Sequence, residues 1–280
     1  SRKKKKGIRP RNQDLTSLCA NSAARAAFEM ALVDAYTKQR KMPLWRFFGG
    51  RSKPLLLRTD ATIVIDNPVR TKETVRYFYR RGIRTFKIKI GRDEDQDFKR
   101  ILLVREAAEK ADFYLDANRG YSASETLRFL KRLERFGIRP ALIEQPVPKD
   151  DWDGLAKVTR EGNTVVVADE SVSSFRDAAR LVRLKCAHAV NIKLMKFGVF
   201  EAVKIAAFLR RSGLKLMIGQ MMETGLASTA AAHLAAGMGG FDYVDLDAPF
   251  FMKEKVMNRT FLWPNGIYDL RSVKAGIGVW

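Results

Sequence analysis

The chain has 280 residues, 46% of them apolar, with 52 basic against 31 acidic side chains and a net charge of +21. This length and apolar content exclude a disordered chain and allow one α/β barrel or two smaller domains. No apolar run is long enough to span a bilayer, and Cys19 and Cys186 make neither a disulfide framework nor a metal-binding spacing.

The N-terminal SRKKKKGIRPRNQ has no apolar stretch behind its charges and does not read as a secretory signal. With so few cysteines, a reducing, cytoplasmic setting is expected. The run Lys3 to Lys6 has the composition of a polyanion-binding arm. Elsewhere the basic residues are spread along helix faces, as in KRLERFGIRP and KIAAFLRRSG, so nucleic acid is not the expected partner. Residues 22–50 predict a helix, a short basic turn and a second short helix ending at Gly49.

Short β-rich runs then recur: LRTDATIVI (57–65), FKIKIG (86–91), FYLDAN (113–118), ALIEQP (141–146), VVVADES (165–171), AVNIKL (189–194), KLMIGQ (215–220) and YVDLDA (243–248). Amphipathic helical patterns such as ETLRFLKRLERFG and AVKIAAFLRRSG lie between them. Near-continuous apolar strands alternating with helices imply parallel strands covered on both faces, and eight such units predict an α/β fold of the (β/α)8 TIM-barrel type. His188 and His233 sit in apolar surroundings and read as core or helix residues, not ligands.

Polar residues recur in phase with the strands. Lys89, Asp116, Glu144, Asp169 and Lys193 are separated by 27, 28, 25 and 24 residues, each at or near a strand's C-terminal end. In a barrel those ends converge on one mouth, where active sites form. Three carboxylates from successive strands suit a hard, oxygen-seeking cation, Mg2+ before zinc, since no His or Cys is in phase. Lysines beside such a cation suit removal of a proton next to a carboxylate, with the developing enediolate charge stabilised electrostatically. Lys193, between Ile192 and Leu194, would be desolvated, and desolvation lowers a lysine's pKa toward that of a base. Lys89 and Lys193 fall on opposite sides of the barrel, so one can remove a proton and the other return it. Lys87, one pleat before Lys89, points the same way and can help hold the carboxylate or enediolate charge.

The motifs FKIKIG (Lys87, Lys89), LDAN (Asp116, Asn118), IEQP (Glu144), ADES (Asp169, Glu170) and NIKLMK (Lys193) together resemble the enolase superfamily, within it the muconate-lactonizing subgroup, over about residues 22–280. A Lys or His base with Mg2+ is a pairing known for that superfamily. The resemblance implies one Mg2+ per chain at Asp116, Glu144 and Asp169, with Asn118 and Glu170 supporting the ligands. In dipeptide epimerases of this subgroup a D-x-D after the last strand binds the substrate's ammonium, which implies that role for Asp245 and Asp247 in VDLDAP. Thr62 in TDATI is similarly implied to lie near the substrate. The resemblance further implies a homo-oligomer, and an α+β capping domain of which this sequence carries only the final helices. The division expected is thus 1–50 for that remnant and 51–280 for the barrel.

The expected activity is epimerisation of a dipeptide at the α-carbon of its C-terminal residue. A muconate cycloisomerase or o-succinylbenzoate synthase would use the same lysines and cation, but neither substrate has an ammonium for the D-x-D. A polyanion-binding protein on a non-catalytic barrel is the alternative of another class. The net positive charge mildly favours an anionic dipeptide such as alanyl-glutamate, with hydrophobic and cationic dipeptides left open.

Overall fold

The computed structural model describes residues 21–50, 56–253 and 261–279; Lys3 to Lys6 and Cys19 lie outside them. Two helices come first, α1 (Ser22–Gln39) and α2 (Leu44–Phe47). Eight parallel strands follow, each paired with the next in chain order. They are β2 (Ala61–Ile63), β3 (Thr85–Lys89), β4 (Asp112–Asp116), β5 (Leu142–Glu144), β6 (Val165–Ala168), β7 (Ala189–Lys193), β8 (Lys215–Gly219) and β9 (Tyr243–Val244). The chain closes on itself where Asp60 N–H donates to Val244 O (3.3 Å) and Leu246 N–H donates to Thr59 Oγ1 (2.7 Å). This is the barrel that the strand-and-helix alternation predicts.

Seven of these strands are followed by helices: α3 (Pro68–Arg80), α4 (Glu94–Ala107), α5 (Ala123–Arg135), α6 (Trp152–Glu161), α7 (Phe175–Leu184), then α8 (Leu194–Phe197) with α9 (Val199–Arg211), and α10 (Gly225–Met238). Side chains at Asn67, Asp93, Ser122, Asp151, Ser174 and Thr224 accept from the first-turn N–H groups of α3 to α7 and α10, which fixes where each helix starts. After β9 the described chain makes only a 3-10 turn, Ala248–Phe250, and the short strand β10 (Ile267–Asp269). No helix of the described residues is long and apolar enough to cross a membrane.

One expected strand divides. The run 57–65 is broken at Thr59 and Asp60 into β1 (Leu56–Arg58) and β2, and β1 pairs antiparallel with β10, outside the barrel sheet. The break follows from the hydrogen bonds: Thr59 N–H goes to Gly266 O, whereas Asp60 N–H turns to Val244 O. The last expected strand, 243–248, is also shorter, because Asp247 enters the 3-10 turn as its N-cap.

Residues 22–50 are seated on the barrel by directed contacts. Helix α9 begins at Gly198 with no side-chain cap of its own. The Glu29 carboxylate on α1 supplies it, accepting from Val199 N–H (2.5 Å) and Phe200 N–H (3.1 Å) and placing a negative charge on the positive end of the helix. His233, fully buried on α10, joins both chain ends: its Nδ1 accepts from Trp45 N–H (3.0 Å), and its Nε2 lies 3.1 Å from Ile277 O. Those partners require the neutral Nε2–H tautomer. His188 Nδ1 accepts from Val166 N–H (3.0 Å), so both histidines are spent on structure, as their surroundings imply.

Burial holds the His233 pKa down, to about 4, against an unfolded value near 6.5. The unfolded chain therefore binds the proton first, and the stability contributed by neutral His233 is present above about pH 6.5 and lost as pH falls toward 4. Chemical denaturation at pH 7.5 and 4.5 should show a loss of up to about 3 kcal/mol from this residue. In His233→Gln that pH-dependent loss should disappear while stability at pH 7.5 falls by about 1–3 kcal/mol.

Candidate active site

The pleat sets which side chains enter the barrel. On β3 the alternation turns Lys87 and Lys89 inward and Ile88 outward; on β7 it turns Asn191 and Lys193 inward together. Lys89, Asp116 and Glu144 are paired across β3, β4 and β5 in one row. Asp169 stands one residue beyond the end of β6.

Lys87 occupies the centre. Its Nζ lies 2.7 Å from Glu144 Oε2, 2.7 Å from Asp245 Oδ2 and 2.9 Å from Asp116 Oδ2. Lys89 Nζ donates to Asp116 Oδ2 (2.7 Å) and to Asn118 Oδ1 (2.8 Å). Lys193 Nζ donates to Asp169 Oδ2 (2.6 Å) and is 4.0 Å from Glu144 Oε1. Thr62 N–H donates to Asp247 Oδ2 (2.5 Å). Glu170 is drawn to one side, ion-paired with Arg119 Nε at 3.2 Å. The eleven residues singled out from the sequence thus gather at one end of the barrel.

Four further residues join them. Lys196, on the single turn of α8, donates to Asp169 O (2.7 Å) and Asp169 Oδ1 (2.8 Å). Asn191 Nδ2 donates to Glu144 Oε1 (2.7 Å). A Cβ at position 219 would collide with the Asn191 amide, so the facing residue on β8 is Gly219. Gln145 bridges β5 and β6, and Asp60 carries a carboxylate beside Asp245 and Asp247. The period of two could have found Asn191, two before Lys193, and Asp60, two before Thr62. Nothing in the local sequence marks Gln145 or Lys196, whose partners lie on other strands.

Electrostatics follow from this crowding. Burial alone would favour a neutral Lys87, but the Asp116, Asp245, Glu144 and Asp60 carboxylates outweigh it and hold its pKa well above the usual lysine value. Burial likewise opposes a charged Lys193, and again Asp169 and Glu144 prevail and raise its pKa. This corrects the expectation of a lowered value: desolvation is present, but a carboxylate at 2.6 Å overrides it. Burial is the largest influence on Lys196 and lowers it. Burial, joined by the Asp116 and Asp169 charges, lifts Glu144 to about 7 despite Lys87 and Lys193. Burial and Asp245 lift Asp247 to about 6. Asp169 is buried too, yet Lys196 and Lys193 hold its pKa down.

The donor set fits a divalent cation. Six buried carboxyl groups (Asp60, Asp116, Glu144, Asp169, Asp245, Asp247) crowd around the amines of Lys87, Lys89, Lys193 and Lys196 and outnumber them by two; burial and the neighbouring carboxylates push the Asp60 pKa well up, as they do those of Glu144 and Asp247. Glu144 Oε2 has the Lys87 ammonium nearby but no aligned hydrogen bond, and Asn191 Oδ1 beside it is also without a donor. The donors at Asp116, Glu144 and Asp169 are all oxygen, the preference of Mg2+. A second acidic group, Asp60, Asp245 and Asp247, brings three oxygens within 4.8 Å of one another, and Asp60 Oδ2 has no hydrogen-bond partner. That group suits any compact cation, an ammonium included. A cleft of about 540 Å3 opens beside Lys89, lined by Val64, Ile65, Arg92 and Asn118 among others.

The family described as "Enolase C-terminal domain-like" matches residues 70–280. The chain belongs to the enolase superfamily. It is similar to the "Hydrophobic dipeptide epimerase" of Citrifermentans bemidjiense, with 44% identity over 95% of this chain and 74% of that protein. It is also similar to the "Aromatic dipeptide epimerase" of Herpetosiphon aurantiacus, with 42% identity over 92% of this chain and 72% of that one. Among solved structures, the dipeptide epimerase of Enterococcus faecalis complexed with Mg and the dipeptide L-Leu-L-Tyr superposes with a TM-score of 0.86 at 33% identity, covering 92% of this chain and 73% of that chain.

Among the described residues, Lys87 is the one cation in contact with Asp116, Glu144 and Asp245 together. Its replacement in Lys87→Met should cost about 3–5 kcal/mol in the cation-free protein, because buried carboxylates lose their partner. Urea denaturation in EDTA would measure this. Loss below about 1 kcal/mol would mean that the three carboxylates are not ionised together around it.

Proposed function

We propose that this chain is a Mg2+-dependent dipeptide epimerase that moves the α-proton of the C-terminal residue between Lys89 and Lys193. The observation that carries this reading is the disposition of the two lysines. Lys89 ends β3 and Lys193 ends β7, four strands apart in an eight-stranded barrel and therefore on opposite sides of its mouth. The carboxylates Asp116, Glu144 and Asp169 come from the strands between them. A substrate carboxylate drawn to that row would hold its α-carbon between the two amines.

Asp116, Glu144 and Asp169 would hold Mg2+, which when bound neutralises charge developing on the substrate's carboxylate oxygens. Asp169 and Glu144, which raise the Lys193 pKa in this structure, would be ligands of the cation, and engaged there they would hold the lysine's charge less strongly. One lysine enters the cycle neutral and takes the proton; the other enters protonated and delivers one to the opposite face. The reverse reaction exchanges their roles. Lys87 stays protonated among its carboxylates and faces the enediolate as a fixed positive charge. Next to Lys87, on the side turned from Asp116 and Glu144, Asp245, Asp247 and Asp60 receive the dipeptide's ammonium, with Asp247 oriented by Thr62 N–H. A muconate or succinylbenzoate substrate would bring no positive group to this acidic pocket.

The rim supports an apolar substrate side chain. Val64 and Ile65 after β2, and Met221 and Met222 after β8, are 53%, 37%, 43% and 70% exposed, a large apolar share for a site otherwise lined by charge. Relatives named for hydrophobic and aromatic dipeptides agree with that preference.

Proton NMR of a dipeptide panel in D2O should show loss of the C-terminal α-proton signal with Mg2+ and none in EDTA. Lys89→Met and Lys193→Met should each lower epimerisation by about 10²–10⁴-fold. Each should still exchange the α-proton of one epimer, the one facing the remaining lysine. Full epimerisation by Lys193→Met would rule out the two-base mechanism.

Asp247→Asn should raise KM for a free dipeptide by about 10–100-fold, the effect of losing a charge-assisted contact worth ~1.5–3 kcal/mol. It should also narrow the preference for a free dipeptide over its N-acetylated form. An unchanged preference would place the ammonium elsewhere.

A further inference from the structure

The row of carboxylates poses a geometric problem. Asp116 and Glu144 are locked in register by the β4–β5 ladder. The pairing of β5 with β6, however, ends at Glu144 opposite Val167, two residues short of Asp169. Something other than the sheet must fix Asp169 relative to Glu144.

The ladder stops because Gln145 leaves it. Gln145 has φ of 35°, a left-handed conformation that costs a residue with a Cβ. Its N–H still donates to Val167 O (2.9 Å), but its C=O is turned to the other neighbour and accepts from Arg119 N–H (2.8 Å). In a continuing parallel ladder that carbonyl would have received Asp169 N–H. The side chain of the same residue takes over: Gln145 Oε1 accepts from Asp169 N–H (2.9 Å) and from Ser171 N–H (3.1 Å). Its Nε2 donates to Val147 O (3.0 Å) and Ser171 Oγ (2.7 Å), and Ser171 Oγ donates on to Lys149 O (2.8 Å). Gln145 is fully buried and its amide has both acceptor positions and both donors engaged.

We propose that Gln145 is a positioning residue: its side-chain amide replaces the missing rung between β5 and β6, fixes Asp169 against Glu144, and thereby sets the affinity of these carboxylates for a divalent cation. The proposal rests on the reading of Asp116, Glu144 and Asp169 as the cation site. Gln145 touches neither cation nor substrate. It acts through the backbone of one ligand while being the chain neighbour of the other. Two carboxylates held at a set spacing lose little freedom when a cation arrives; released, they lose more, and affinity falls.

The test is Mn2+ binding to the whole chain, followed by the electron paramagnetic resonance of free Mn2+. Gln145→Met keeps length and removes all four hydrogen bonds; Ser171→Ala removes one partner. Thr159→Val, which loses a bond to Cys186 O on the outer side of the barrel, serves as a control for general loosening. Gln145→Met should weaken Mn2+ binding by about 10–100-fold, the range for residues that orient metal ligands. Ser171→Ala should weaken it less, and Thr159→Val not at all. The Mg2+ concentration for half-maximal epimerisation should rise in parallel, with the rate at saturating Mg2+ largely restored, a split that general destabilisation would not produce. Folded Gln145→Met binding Mn2+ within twofold of the parent chain overturns the proposal. If that variant does not fold, an unchanged affinity in Ser171→Ala does so instead. If the parent binds no Mn2+, or Asp169→Asn binds it equally well, the cation-site reading itself fails and this proposal falls with it.

Discussion

The Lys87 ammonium, enclosed by carboxylates from β4, β5 and the segment after β9, is the interaction on which the interior of this barrel depends. Several carboxylates cannot stay ionised at contact distance in a poorly polarisable interior unless cations stand among them. Lys87 satisfies three of them, Lys89 shares one of those, and Lys193 with Lys196 satisfies Asp169. The result is a lattice of alternating charge in which carboxyl groups outnumber amines, and the surplus raises the proton affinity of Asp60, Glu144 and Asp247. A row of oxygen donors built this way suits a divalent cation.

That lattice sets the charge state of the buried lysines. A buried lysine with no carboxylate nearby would be deprotonated by desolvation. In this chain carboxylates at 2.6–2.9 Å keep Lys87 and Lys193 charged against that tendency, whereas at Lys196 burial prevails. Asn191, with one amide hydrogen on Glu144 and its oxygen unpartnered, adds an uncharged support to the most crowded carboxylate.

The scaffold holds this arrangement by means remote from it. Glu29 caps α9, the second helix after Lys193, and His233 binds Trp45 and Ile277 to the same α10 surface. The first helices are thus part of the barrel's outer wall by contact, although they precede its first strand by sequence. The ribbon β1–β10 and the bonds from Thr59 and Asp60 close the ring where its first and last strands meet.

The sequence by itself determined the strand-and-helix alternation, the phase of Lys89, Asp116, Glu144, Asp169 and Lys193, and the side of the pleat on which Lys87 falls. Each depends on short-range periodicity, which a linear pattern preserves. The tertiary structure alone decided the protonation of Lys193, because desolvation and a carboxylate 24 residues away act in opposite directions and only their distance settles the balance. It alone decided where the run 57–65 breaks, since the competing partners, Gly266 and Val244, are distant in sequence. It also revealed Gln145 and Lys196, whose hydrogen-bond partners are distant in sequence. A side chain that replaces a backbone rung leaves no period in the sequence; it is visible only where two strands meet.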